Sequence, residues 1–148
     1  MEQGNLLIVW NEPNMIGIKI LDEQHRGIVS IINSLHYSLL TRDDYTLLKP
    51  TAEMIMGYTQ IHFKTELELL AESAYPRLKE HQALHARLIA DSNNIFQNCL
   101  EDGGDPSQFL NFLKEWWLVH ITREDKAYSG HLIDYLQSSR RVITKRQG

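Results

Sequence analysis

The sequence predicts an all-α protein: an up-down-up-down four-helix bundle with an N-terminal extended arm and a short C-terminal helix. Three observations carry this. Apolar residues return at three- and four-residue spacing over four long stretches, the period of a buried helix face. The links between those stretches are short and hold residues that stop or start helices, at Thr41-Arg42-Asp43-Asp44, Tyr75-Pro76 and Glu101-Asp102-Gly103-Gly104. Short links make successive helices antiparallel neighbours. With 43% apolar and 23% charged residues, the 148-residue chain can bury a core as one unit. We expect an arm over 1–20, a bundle over about 21–129, and a C-terminal helix with a basic tail over about 130–148.

The arm holds the apolar run Leu6-Leu7-Ile8-Val9-Trp10, broken by Asn11-Glu12-Pro13-Asn14. Trp10 is expected to pack on the core or to cap one end of the bundle. The first helix should run from about Asp22, a suitable N-cap, to about Leu40. Ile28, Ile32, Leu35 and Leu39 form its buried face, which His25 shares and His36 misses by one position. Pro50 lacks an amide hydrogen and suits a first turn, so the second helix should start near Lys49 and end near Glu72. Ile55, Tyr58, His62, Glu66 and Leu69 share one of its faces.

The third helix is expected from about Pro76 to about Leu100, with Leu78, His81, His85, Leu88, Ser92, Ile95 and Cys99 on one side. Asp105-Pro106 reads as N-cap and first residue of the fourth helix. Phe109, Leu113, Trp116, Trp117 and His120 line its inner side to about Tyr128. Ser129-Gly130 should stop it, leaving His131 to Leu136 as a short further helix.

Charge and cysteine content narrow the partners. Fifteen basic and nineteen acidic residues give a net charge of −4, which disfavours nucleic acid. Cys99 is the only cysteine, so no internal disulfide can form, and a reducing, cytoplasmic location is expected. The first ten residues lack a basic start followed by a long apolar run, and no stretch is apolar enough to span a bilayer. The tail Arg140-Arg141-Val142-Ile143-Thr144-Lys145-Arg146 is basic. It reads either as a patch for an anionic membrane surface or protein partner, or as a solvated terminus.

The inward positions carry the chemistry. His62 and Glu66 stand four residues apart on the second helix, and His81 and His85 do so on the third, so each pair shares a face. His25 comes from the first helix and His120, with Glu124 and Asp125 after it, from the fourth. Five histidines and at least two carboxylates on the inner faces of four helices exceed what one metal ion takes. Two metals bridged by carboxylates account for them. Spacing alone favours Glu124 over Asp125. Asp125 is five residues beyond His120, roughly 140° round a regular helix.

At these residues the chain resembles the hemerythrin family, in particular its bacterial single-domain members. The resemblance rests on Trp10, Asp22-Glu23-Gln24-His25, His62-Phe63-x-x-Glu66, Tyr75-Pro76, His81-x-x-x-His85 and Trp117-x-x-His120-Ile121-x-x-x-Asp125, and spans about residues 8 to 136. It implies two non-haem iron ions with an oxo or hydroxo bridge. His81, His85 and His120 would hold one iron, His25 and His62 the other, and Glu66 and Asp125 would bridge both. Taking Asp125 over Glu124 implies that the helix widens locally, as a π-bulge.

The implied function is reversible O2 binding, with O2 held as hydroperoxide on the five-coordinate iron. The alternative is a di-iron enzyme with peroxidase or nitric-oxide-consuming activity. No Glu in the sequence is followed three residues later by His, the pair that carboxylate-rich dimetal bundles use, which favours binding over oxidase chemistry. One departure is Leu67, where family members often carry a second glutamate.

Overall fold

The structure, a computed structural model, describes residues 6–41, 48–101 and 103–147, and of these not the side chains of 41, 118, 121, 122 and 140–147. Most of the expected loop after Thr41, and Asp102 of the expected turn, lie outside the described residues. The described residues form five α-helices: α1 over Lys19–Thr41, α2 over Leu48–Glu72, α3 over Leu78–Phe96, α4 over Pro106–Val119 and α5 over Lys126–Gln147. Helix α1 packs against α2 and α4, and α3 packs against the same two, which closes the four-helix bundle.

Local chemistry sets most boundaries. Asp105 caps α4 by accepting a hydrogen bond from the Ser107 amide at 3.0 Å. Helix α2 ends in a Schellman motif: Tyr75 N–H bonds the Leu70 carbonyl at 2.9 Å and Ala74 N–H the Ala71 carbonyl at 3.1 Å. Ala74 takes the left-handed conformation this needs, with φ at 55°. Pro76 then sits in a turn closed by Leu78 N–H on the Tyr75 carbonyl, before α3 rather than inside it.

Two apolar clusters flank the middle of the bundle. One is built on Ile28, Ile32, Leu35, Ile55, Phe109 and Trp117. The other joins Ile16, Ile18, Leu21, Leu70, Tyr128 and Leu132. Each fully buried side chain of this size stabilises the fold by about 1.5–3 kcal/mol. On each long helix the expected site residues fall between members of the two clusters, as Glu66 does between Phe63 and Leu70.

The arm is a strap along α1 rather than an end cap. Asn33 accepts from the Leu7 and Ile8 amides, both at 3.0 Å, and donates to the Ile8 carbonyl at 2.9 Å. Asp22 lies inside the first turn of α1 and is not its N-cap. Its carboxylate accepts from the Ile16 amide at 2.7 Å and the Gly17 amide at 3.1 Å, before the helix begins. Gly17 makes that reversal with φ at 89°, and an added Cβ would lie 3.1 Å from Ile133.

The expected stop at Ser129-Gly130 does not occur. The chain stays helical through both residues, and α5 runs to Gln147 in place of a short helix. A glycine inside a helix costs about 1 kcal/mol. Tyr128 and Leu132, both fully buried, straddle it and offset that cost by packing. Among the described residues, no helix is long and apolar enough to cross a membrane.

Candidate metal centre

The seven residues singled out from sequence all converge. His25 comes from α1, His62 and Glu66 from α2, His81 and His85 from α3, His120 and Asp125 from the segment joining α4 to α5. All are buried, His81 being the most open at 6%. Their ligand atoms form two groups, each within 4.8 Å: Glu66, His81, His85 and His120, and His25, His62, Glu66 and Asp125. Glu66 belongs to both, with His62 Nε2 3.2 Å from its Oε2, His85 Nε2 3.0 Å from its Oε1, and His81 Nε2 on Oε1 as well. Asp125 lies between the groups, 2.9 Å from His25 and 3.0 Å from His120.

Helices α4 and α5 form one continuous helix interrupted by a π-turn over His120–Asp125. The wider turn carries Asp125, five residues on, to the face of His120, while Glu124 stays exposed. The spacing argument for Glu124 fails because it assumed 3.6 residues per turn throughout.

A close approach brings His25 to His62. Gly27 lies under the ring of Tyr58, where a Cβ would come within 2.9 Å of the hydroxyl. With that space open, α1 and α2 put the two Nε2 atoms 3.0 Å apart. Aromatic rings enclose the rest. Phe63 stacks on His85 at 3.7 Å between centroids, and Trp117 lies 5.7 Å from His25, 6.0 Å from His62 and 6.1 Å from His120. Trp10 of the arm reaches His25 at 6.5 Å. Of the apolar neighbours, Ile28 and Phe63 are buried; the side chains of Leu118 and Ile121 lie outside the described set.

The electrostatics suit a cation. Burial pushes the Glu66 carboxyl up, but the close imidazoles of His62, His81 and His85 outweigh it and hold it well below the usual carboxylate range. Burial and the Glu66 charge also push Asp125 up, and His120 and His25 bring it below its ordinary value. Burial keeps His62 and His85 lowered against the opposing pull of Glu66. Burial lowers His120 too, and Asp125 more than reverses this. Ionised carboxylates, with His62 and His85 resisting protonation, are the state a metal requires, and at His120 a metal would compete with a proton.

Several of these atoms are close without forming proper hydrogen bonds. His85 Nε2, His120 Nε2, Glu66 Oε2 and both Asp125 oxygens are buried with no hydrogen-bond partner. Buried polar atoms are nearly always paired. A cluster of them aimed at common points, with this donor set, fits transition-metal ions such as iron or zinc.

Three participants were missed from sequence. Gln24 Oε1 lies 2.8 Å from His62 Nδ1, and Gln24 Nε2 donates to Thr65 Oγ1 at 3.3 Å. Tyr128 is fully buried, edge-on to His81 at 5.4 Å, and its hydroxyl is pushed well above the usual tyrosine value by burial and by Asp125 and Glu66. Gln24 next to His25 was the only hint; nothing in the spacing marked Tyr128 or Thr65.

Fold and site together define a helical bundle with buried histidine–carboxylate clusters able to hold metal ions. The chain belongs to the hemerythrin family: the family's "Hemerythrin HHE cation binding domain" matches residues 16–132. A bacteriohemerythrin of Stenotrophomonas maltophilia is 31% identical over 133 residues, 88% of this chain and 84% of that protein. One from Pseudomonas aeruginosa is 29% identical over 124 residues, covering 82% of this chain and 78% of its own. The crystal structure of a hemerythrin point mutant superimposes with a TM-score of 0.77 at 23% identity, over 86% of this chain and 98% of that one, which is a likeness of fold.

Proposed function

We propose that the protein binds O2 reversibly at a non-haem di-iron centre, as a carrier, store or sensor, and is not an enzyme. In this reading His81, His85 and His120 hold one iron and His25 and His62 the other. Glu66 and Asp125 span both. When bound, the two irons supply reversible electron exchange with O2. The observation that carries the reading is the pair of buried ligand groups sharing Glu66. Seven donors in two overlapping groups exceed the four of a closed zinc site.

The chain's own residues would orient the metals and exclude water. One group offers three imidazoles and the other two; with Glu66 and Asp125 both shared between the metals, the His25–His62 half is the one short of a protein ligand. A metal with an open position is the one that takes an external molecule. Ile28, Phe63 and Trp117 keep that region apolar, and a dry surround tunes a metal site. The buried, unbridged thiol of Cys99 accords with a cytoplasmic location.

Protein made in iron-sufficient cells should contain two irons per chain. Its reduced form should gain a ligand-to-metal band in air that vanishes on degassing. A crystal of the oxidised protein with azide should carry the anion on the iron of His25 and His62. One tightly held zinc, rapid turnover in air, or azide on the iron of His81, His85 and His120 would overturn the proposal.

A further inference from the structure

We infer that Gln24 and Thr65 act together as positioning residues that fix which nitrogen of His62 faces the metal and set how strongly it donates. This rests on the di-iron reading above. The inference follows from counting hydrogens along one chain of bonds. Thr65 spends its hydroxyl hydrogen on the Ile61 carbonyl at 3.0 Å, one turn back on α2. Its oxygen can then only accept. Gln24 approaches that oxygen at 3.3 Å and must present its amide N–H there. The other end of the same amide, the carbonyl oxygen Oε1, is thereby turned to His62 Nδ1 at 2.8 Å.

A carbonyl oxygen has no hydrogen to give, so His62 Nδ1 must be the protonated nitrogen. That leaves Nε2, which faces Glu66 and His25, with a free lone pair. The flipped amide would do the reverse. It would give an N–H to Nδ1, put the hydrogen on Nε2 and block metal ligation. Thr65 selects between the two states from outside the site.

No other site histidine is described with such a partner. The Nδ1 atoms of His25, His85 and His120 are buried without one. The relay therefore acts on the half of the centre proposed to take the external ligand. It also joins α1 to α2, Gln24 preceding His25 by one residue and Thr65 preceding Glu66 by one. An acceptor on the remote N–H makes an imidazole a stronger donor to its metal. Replacing the neutral amide oxygen by a carboxylate should strengthen that effect, and removing the acceptor should abolish it.

The test compares full-length wild type, Gln24→Leu, Gln24→Glu, Thr65→Val and Thr65→Ser, each loaded with iron, by potentiometric titration. Gln24→Glu should lower the midpoint potential, and Gln24→Leu and Thr65→Val should raise it. Gln24→Leu should also hold iron roughly tenfold more weakly than wild type in competition with a chelator. Thr65→Ser, which keeps the hydroxyl, should behave as wild type. A second measurement needs no iron: nitrogen-15 NMR of the metal-free chain should place the His62 hydrogen on Nδ1 in wild type and Thr65→Ser. In Gln24→Leu and Thr65→Val it should be shared with Nε2 or moved there. A His62 hydrogen on Nδ1 in every variant, or equal potentials in Gln24→Leu and Gln24→Glu, would overturn the relay. Neither result would touch the di-iron reading. A chain that takes up no iron but shows the NMR shift would sink that reading and leave the relay standing.

Discussion

The α2–α3 hairpin and the continuous α4–α5 helix each bring candidate ligands to one point, and they do so by opposite means. In the hairpin, His62 and Glu66, then His81 and His85, lie on regular helical turns, and the irregular backbone lies outside them, at the Ala74 connection and in the π-helical stretch Gln97–Glu101 that follows α3. In α4–α5 the irregular backbone lies between the ligands themselves, at the π-turn over His120–Asp125. The reason is register. A hairpin can adjust its second helix through the turn. An unbroken helix has no such freedom: Trp117 above the site and Tyr128 and Leu132 below it must all face the core. With His120 and Asp125 five apart, the extra residue has to be absorbed within the turn. Within the site, distortion thus sits where the spacing of the site residues fails to match the helical repeat.

The comparison breaks most severely at Glu66, the one residue common to both ligand groups. Glu66→Ala should leave less than one iron per chain by metal analysis, whereas His85→Ala should keep at least one. The variant also leaves His62, His81 and His85 without the carboxylate that compensates them in a buried site. Two irons per chain in Glu66→Ala would mean that Glu66 is not a ligand the two groups share.

Next in size is the test of the π-turn. Asp125→Ala should cost more than the roughly tenfold loss of metal affinity that removing an outer partner causes, since Asp125 lies within 3.0 Å of histidines from both groups. Glu124→Ala, one residue away and exposed, should leave iron content and the optical spectrum unchanged. Equal losses would show that the turn does not discriminate between the two acids.

This contrast also marks what the sequence made legible. The hairpin could be read directly, because His62, Glu66, His81 and His85 obey the helical period that defines their faces. At Asp125 periodicity pointed to Glu124, which is exposed, and only the family resemblance chose the residue that is buried. The C-terminal boundary failed for a related reason. Gly130 is a local stop signal, but Tyr128 and Leu132 pack on either side of it, and tertiary packing overrides propensity. The arm's path was illegible because it depends on Asn33 bonding backbone amides remote in sequence and on Asp22 bonding those just before its own helix. Polar side chains with such roles leave no periodic trace.

The smallest expected effect concerns the hairpin's own irregularity. Ala74 holds the left-handed position of the Schellman motif, where glycine is usual. An L-residue there costs about 1–2 kcal/mol. Glycine removes that strain but adds about 0.5–1 kcal/mol of backbone entropy lost on folding. The net for Ala74→Gly is stabilisation by about 0.5–1 kcal/mol, or roughly 2 °C in Tm for a chain of this size. The turn should keep its place, because His131 on α5 braces it through a bond to the Ser73 carbonyl at 2.9 Å, and Tyr75 packs on the Leu70 cluster. Iron content should be unchanged, since the strain relieved lies outside the ligand-bearing turns. A thermal melt with parallel metal analysis measures both. A lower Tm, or loss of iron from the His81–His85 side, would show that the left-handed alanine sets the ligand register and that the two kinds of irregularity are not separable.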